Sequence, residues 1–99
     1  MINRVILVGR LTKNPEIRKT PNGASICKFT LAVSRKVKSQ GQPDADFISC
    51  VIWGKQAENL CKYCTKGSQI GVQGRIQTRN YQNNEGKTVY VTEVNANNI

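Results

Sequence analysis

The sequence predicts an all-β fold: a five-stranded Greek-key barrel with one α-helix between strands three and four. Apolar residues alternate with a period of two in several short segments, as in strands that bury one face. Gly, Pro and Asn turn signals separate those segments. A single stretch switches to the 3.6-residue spacing of an amphipathic helix. The chain of 99 residues suits one domain spanning 1–99, because a chain this size buries roughly two-thirds of its unfolded surface. Apolar residues make up 38% of it, enough for a compact core.

In the first segment Val5, Leu7, Gly9 and Leu11 alternate with Arg4, Ile6, Val8 and Arg10. Both faces are largely apolar, so this strand is expected to be central or to lie at an interface. From Thr12 to Ser25, Asn14-Pro15 and Pro21-Asn22-Gly23 supply turn chemistry, and the stretch reads as a connection. A second strand begins at Ile26. Its residues Cys27, Phe29, Leu31 and Val33 share a core face, opposite Lys28, Thr30, Ala32 and Ser34. Lys36 to Asp44 is a long polar loop.

The third strand, about Asp46 to Trp53, places Ile48, Cys50 and Ile52 in the core and Phe47, Ser49, Val51 and Trp53 on the other face, a surface aromatic platform or a second buried face, with the clean split favouring the platform. After Gly54, the spacing of Ala57, Leu60, Cys61 and Cys64 predicts a short helix. Glu58 lies early in it and Lys62 and Lys66 late, as the helix dipole favours, and Gly67 reads as its C-terminal cap. Ile70, Val72, Gly74 and Ile76 mark a fourth strand with a polar outer face. A hairpin turn near Asn83-Asn84-Glu85-Gly86 leads to a last strand, about Lys87 to Asn95. Three strands, a helix and two strands form the order of an oligonucleotide/oligosaccharide-binding (OB) fold. An open α+β sandwich of the same elements is the competing architecture.

Fifteen Lys and Arg against six Asp and Glu give a formal charge of +9, which points to a polyanionic partner. The chain has no His, so the commonest general base and zinc ligand is missing. No apolar run approaches the ~18 residues of a membrane span. The apolar start, Met1 to Arg10, is short, contains Arg4 and precedes no small-residue cleavage site; a cytoplasmic protein is expected.

Of the cysteines at 27, 50, 61 and 64, Cys61 and Cys64 have CxxC spacing, but Cys27 and Cys50 are singletons within strands rather than a second knuckle. Helical spacing puts Cys61 and Cys64 on the buried stripe, where cysteine packs as a small hydrophobe. The carboxylates Glu16, Asp44, Asp46, Glu58, Glu85 and Glu93 are scattered, and no nucleophile elbow or phosphate-cradling glycine loop occurs. These residues point to no catalytic site, metal or cofactor.

Aromatic and cationic side chains remain. Phe47, Trp53 and Tyr81 are accompanied by cations, Lys55 just after Trp53 and Arg79 just before Tyr81. Single-stranded nucleic acid calls for this mixture: cations track phosphates while flat rings stack on bases, at ~1–3 kcal/mol per ring. Duplex DNA hides the base faces.

The order of motifs resembles the bacterial single-stranded DNA-binding protein family. The resemblance runs from Asn3-Arg4-Val5-Ile6-Leu7-Val8-Gly9-Arg10-Leu11 through Pro15-Glu16-Ile17-Arg18 and Phe29-Thr30-Leu31-Ala32-Val33. It continues in Val51-Ile52-Trp53-Gly54-Lys55, Gly74-Arg75-Ile76, Thr78-Arg79-Asn80-Tyr81 and Thr92-Glu93-Val94. It implies a homotetramer of barrels that wraps single-stranded DNA in replication, recombination or repair, with no catalysis and no cofactor. By the same resemblance, Phe47, Trp53 and Tyr81 are the stacking rings and Arg4, Arg10, Lys55, Lys66 and Arg79 the phosphate contacts.

The chain departs from the family pattern in two places. Val37, between the loop cations Lys36 and Lys38, stands where many members carry an aromatic. The sequence stops at Asn97-Asn98-Ile99, before the flexible linker and acidic tip by which family members recruit replication and repair partners; either a truncated chain or a tail-less variant is expected. Two other functions fit the residues. The same barrel could serve as an RNA-binding module, separable only through 2′-hydroxyl contacts. A zinc or redox protein would instead use Cys61 and Cys64.

Overall fold

The computed structural model describes residues 1–36, 40, 41 and 44–99. In chain order the elements are β1 (Val5–Leu11), β2 (Glu16–Lys19), β3 (Ser25–Ser34), β4 (Ala45–Trp53), α1 (Lys55–Tyr63), β5 (Gln69–Gln82) and β6 (Thr88–Asn98). The sheet order is β1-β5-β6-β4-β3-β2, and a further β1–β3 pairing closes β1, β5, β6, β4 and β3 into a ring. This is the OB-type barrel, with α1 between its third and fourth strands. All pairings are antiparallel except β4–β6, which is parallel and limited to Cys50–Ile52 against Val94–Ala96.

The alternation in β3 has the expected consequence: Cys27, Phe29 and Leu31 point into the core. Cys50 and Ile52 from β4, Ile70 and Val72 from β5, and Val94 and Ala96 from β6 meet them there. Full burial of side chains such as Leu31, Ile52 and Val72 contributes about 1.5–3 kcal/mol each. The helix closes one end of the barrel with Ala57 and Leu60, while Cys61 and Cys64 pack at the edge of the core. Barrel closure brings β1 against β3 at Gly9, where a Cβ would lie 2.5 Å from the Ala32 carbonyl oxygen.

Four sequence expectations are corrected. The Thr12–Ser25 connection contains β2, whose Glu16–Lys19 pair with Lys28–Ser25 on the half of β3 that β1 leaves open. The helix ends at Tyr63, so Lys66 lies outside it and Gly67 does not cap it; Cys64 closes it, donating its N–H to the Leu60 carbonyl. Gly67, at φ 89°, instead serves the turn Thr65–Ser68, and its N–H bonds the Leu11 carbonyl at 2.8 Å, tying that turn to β1. Val51, on the outer side of β4, is buried mid-sheet between Lys28 of β3 and Asn95 of β6. The last strand begins at Thr88 and runs on to Asn98.

On β1 the two faces differ. Val5 and Leu7 pack against the core, whereas Ile6 and Val8 are 70% and 57% exposed on the outside of the chain. At the base of the long β3–β4 loop, Arg35 donates from Nη2 to Asp46 Oδ1 at 2.8 Å and from Nε to both carboxylate oxygens. Those bonds hold the Asp46 carboxyl below its usual range. Val37 and Lys38, within that loop, lie outside the described residues.

Candidate nucleic-acid interface

Because β4 and β6 pair only from Cys50 and Val94 onward, the two strands part on the N-terminal side of that point. The parting opens a groove of about 830 Å³ on the outer surface of the barrel. Ser49 and Cys50 line one wall, Val91, Glu93 and Arg79 the other, and Ile26, Lys28 and Thr30 of β3 extend the floor. Thr12, Lys13, Asn14, Pro15, Glu16 and Arg18, from the β1–β2 connection and β2, form its far side.

The strand register sets the aromatic rings. On β4, Phe47 pairs with Ala32 and Trp53 with Ile26, so both rings stand on the outer face that Ser49 shares. They are 67% and 47% exposed. Six residues of extended strand separate them by about 20 Å, with the groove residues Ser49, Lys28 and Thr30 lying between. On β5, Arg79 and Tyr81 pair with Val91 and Val89 on the same outer face. Tyr81 is 48% exposed, and its ring centroid lies 5.9 Å from the Arg79 guanidinium carbon. Exposed rings leave apolar surface in contact with water, and stacking against a base removes it.

The expected cations are not gathered in one place. Arg79 lines the groove and bonds Glu93 Oε1 through Nε at 3.1 Å. Arg10 donates to the Gly67 carbonyl at 2.9 Å, and the Lys66 N–H bonds Asn14 Oδ1 at 2.7 Å. Arg10 and Lys66 therefore stand at the end of the groove that Asn14 lines. Lys55 begins α1 two residues after Trp53, beyond the groove wall. Lys36 is exposed at the start of the long loop. Arg4 sits apart, against the side-chain amide of Gln73 at the β1–β5 edge. Lys38 lies outside the described residues.

Three cations that sequence reasoning did not single out, Lys13, Arg18 and Lys28, do line the groove. A signal existed only for Lys28, by its place on the outer face of β3. Lys13 and Arg18 reach the site through the β1–β2 fold-back, a tertiary arrangement.

All four cysteines are free thiols. The Cys61 thiol donates to Cys27, with the Sγ atoms 3.6 Å apart. Burial and the neighbouring Cys61 thiol push the Cys27 thiol up to about 12. Burial, and then the charge of Glu93, raise Cys50 to about 11. Thiols held protonated at neutral pH are poor nucleophiles and poor metal ligands. The packing thus favours a core role for Cys27 and Cys50.

Comparison with known proteins agrees with the geometry. Residues 2–99 match the single-strand binding protein family. The chain is 60% identical over its full length to a single-stranded DNA-binding protein of Halalkalibacterium halodurans, of which it covers 60%. It is 61% identical to one of Bacillus cereus, covering 59% of it, and 58% identical to single-stranded DNA-binding protein A of Bacillus subtilis, covering 58%. The chain therefore spans about 60% of the length of the curated relatives it matches. A family match over residues 2–99, together with 58–61% identity over the whole chain, shows that this chain belongs to the single-strand binding protein family.

Proposed function

We propose that the chain binds single-stranded DNA without strong sequence preference and without a catalytic step, in the cytoplasm, during DNA replication, recombination or repair. The observation that carries this reading is the shared outer face: Phe47, Trp53 and Tyr81 exposed beside a groove lined by Lys13, Arg18 and Lys28. Bases stack on the rings while the cations follow the phosphates. Arg10, Lys55, Lys66, Lys36 and Arg4 extend the positive surface beyond the groove. The similarly named relatives support the same ligand.

Trp53 is the sole tryptophan, so its fluorescence reports one ring. Titration with poly(dT) is expected to quench it saturably. Absence of quenching together with absence of binding in a mobility assay would overturn the reading. Tighter binding to a U oligomer than to a dT oligomer of equal length would move the function to RNA.

We further propose assembly into a homotetramer, supported by the apolar outer face of β1. Ile6 and Val8 are exposed there, with Gly71 of β5 opposite Val8. Burial of those side chains against a second copy removes the solvent exposure that the isolated barrel leaves. Sedimentation at micromolar concentration is expected to show the tetramer, and Ile6→Glu to dissociate it. A wild-type monomer under those conditions would overturn the assembly.

A further inference from the structure

Glu93 is anomalous where it stands. It is 8% exposed in an acid-poor chain of formal charge +9, and it lines the groove assigned above to a polyanion. Glu16, the other carboxylate on that groove, is exposed and solvated beside Arg18. A buried carboxylate facing phosphates is unfavourable unless its charge is neutralised locally. Arg79 neutralises it, with Nε 3.1 Å from Oε1.

The same guanidinium lies over the Tyr81 ring, within the ~6 Å range of a cation–π contact. Arg79 and Tyr81 are two apart on one strand face, and Glu93 approaches from the neighbouring strand, opposite Gln77. The three side chains form a relay in which the buried carboxylate fixes the guanidinium and the guanidinium backs the ring. An arginine so engaged has its charge already compensated. Binding of DNA releases counterions through cations that meet phosphates; the Arg79 charge is already matched by Glu93, so a phosphate would have to compete with that carboxylate for it.

Resting on the DNA-binding reading above, we propose that Glu93 and Arg79 are positioning residues for the stacking ring Tyr81, and that Arg79 does not serve as a phosphate contact. Stacking rewards a ring already held in place, because less side-chain entropy is lost when the base arrives. The role for which Arg79 stands out in the sequence, a cation beside an aromatic, is thereby replaced by one that depends on Glu93.

The test is binding of a dT oligomer, followed by Trp53 quenching across a salt series, for wild type, Arg79→Gln, Glu93→Gln, Tyr81→Ala and Arg79→Gln/Tyr81→Ala. Arg79→Gln is expected to weaken binding at every salt concentration while leaving the slope of log affinity against log salt unchanged. It should cost nothing further once Tyr81 is gone. Glu93→Gln, nearly isosteric and able to keep the hydrogen bond, is expected to steepen the slope by about 0.7, the single-strand value per cation, because the Arg79 charge is then uncompensated and attracts a phosphate. A slope shallower by about 0.7 in Arg79→Gln, or losses at Arg79 and Tyr81 that simply add, would overturn the proposal while leaving DNA binding intact. Failure of the wild-type chain to bind would overturn both readings.

Discussion

Gly9→Ala is expected to destabilise the barrel by about 3 kcal/mol, toward the upper end for overpacking at a site that cannot relax. The added methyl would meet the Ala32 carbonyl oxygen at 2.5 Å and the Leu31 side chain at 3.0 Å. The first obstacle is backbone. It belongs to β3 at the crossing where β1 closes the ring, so relief requires the two strands to separate and weakens the pairing of Arg10 and Leu11 with Ala32 and Leu31. Gly74→Ala meets a similar obstacle, the Asn95 carbonyl and the Ala96 Cα of β6, at the register shift beside Gln73. Urea unfolding at matched protein concentration measures both, as a lower midpoint with an unchanged slope. An unaltered midpoint for Gly9→Ala would mean that the strands cross farther apart than described.

Trp53→Ala is expected to weaken poly(dT) binding by ~1–3 kcal/mol, roughly 5- to 150-fold, with the melting temperature nearly unchanged. The ring is half exposed and absent from the core cluster, so its removal leaves no sealed cavity. Because the substitution also removes the fluorophore, binding is read by anisotropy of a labelled oligomer. A fall in melting temperature without loss of affinity would make Trp53 a packing residue. Phe47→Ala, on the same face and more exposed, should follow Trp53→Ala.

Most of the barrel was legible because its strands bury one face. Cys27, Phe29 and Leu31 declare β3, and Cys50 and Ile52 declare β4, through simple alternation. β2 gave no such signal: Glu16–Lys19 are all exposed, and only pairing to β3 makes them a strand. The helix end was misplaced because glycine after a lysine-bearing last turn is the usual capping pattern, whereas Gly67 is engaged by Leu11, far away in sequence. The shared face of Phe47 and Trp53 was legible from strand parity, and the exposed Tyr81 from its place before the hairpin turn. The groove was not, since it arises where two non-consecutive strands part. The Arg79–Glu93 pair was equally hidden, because it joins residues fourteen positions apart across a hairpin whose register its turn determines.

Past the barrel, β5 and β6 continue as a two-stranded ribbon: Arg75–Gln82 pair only with β6, and β4 joins β6 no earlier than Val94. Ribbons of two strands are marginally stable on their own in water. Amides there open by local fluctuations well below the free energy of global unfolding, whereas those of β3, paired on both edges, exchange only through larger openings. Tyr81 and Arg79 are mounted on this yielding arm, while Trp53 directly follows the stretch of β4 held by both β3 and β6, and Phe47 stands where β4 pairs with β3. In the proposed binding mode, capture is divided between a ring beside the closed barrel and a compliant finger, and the finger is expected to gain order as the nucleotide chain settles across it.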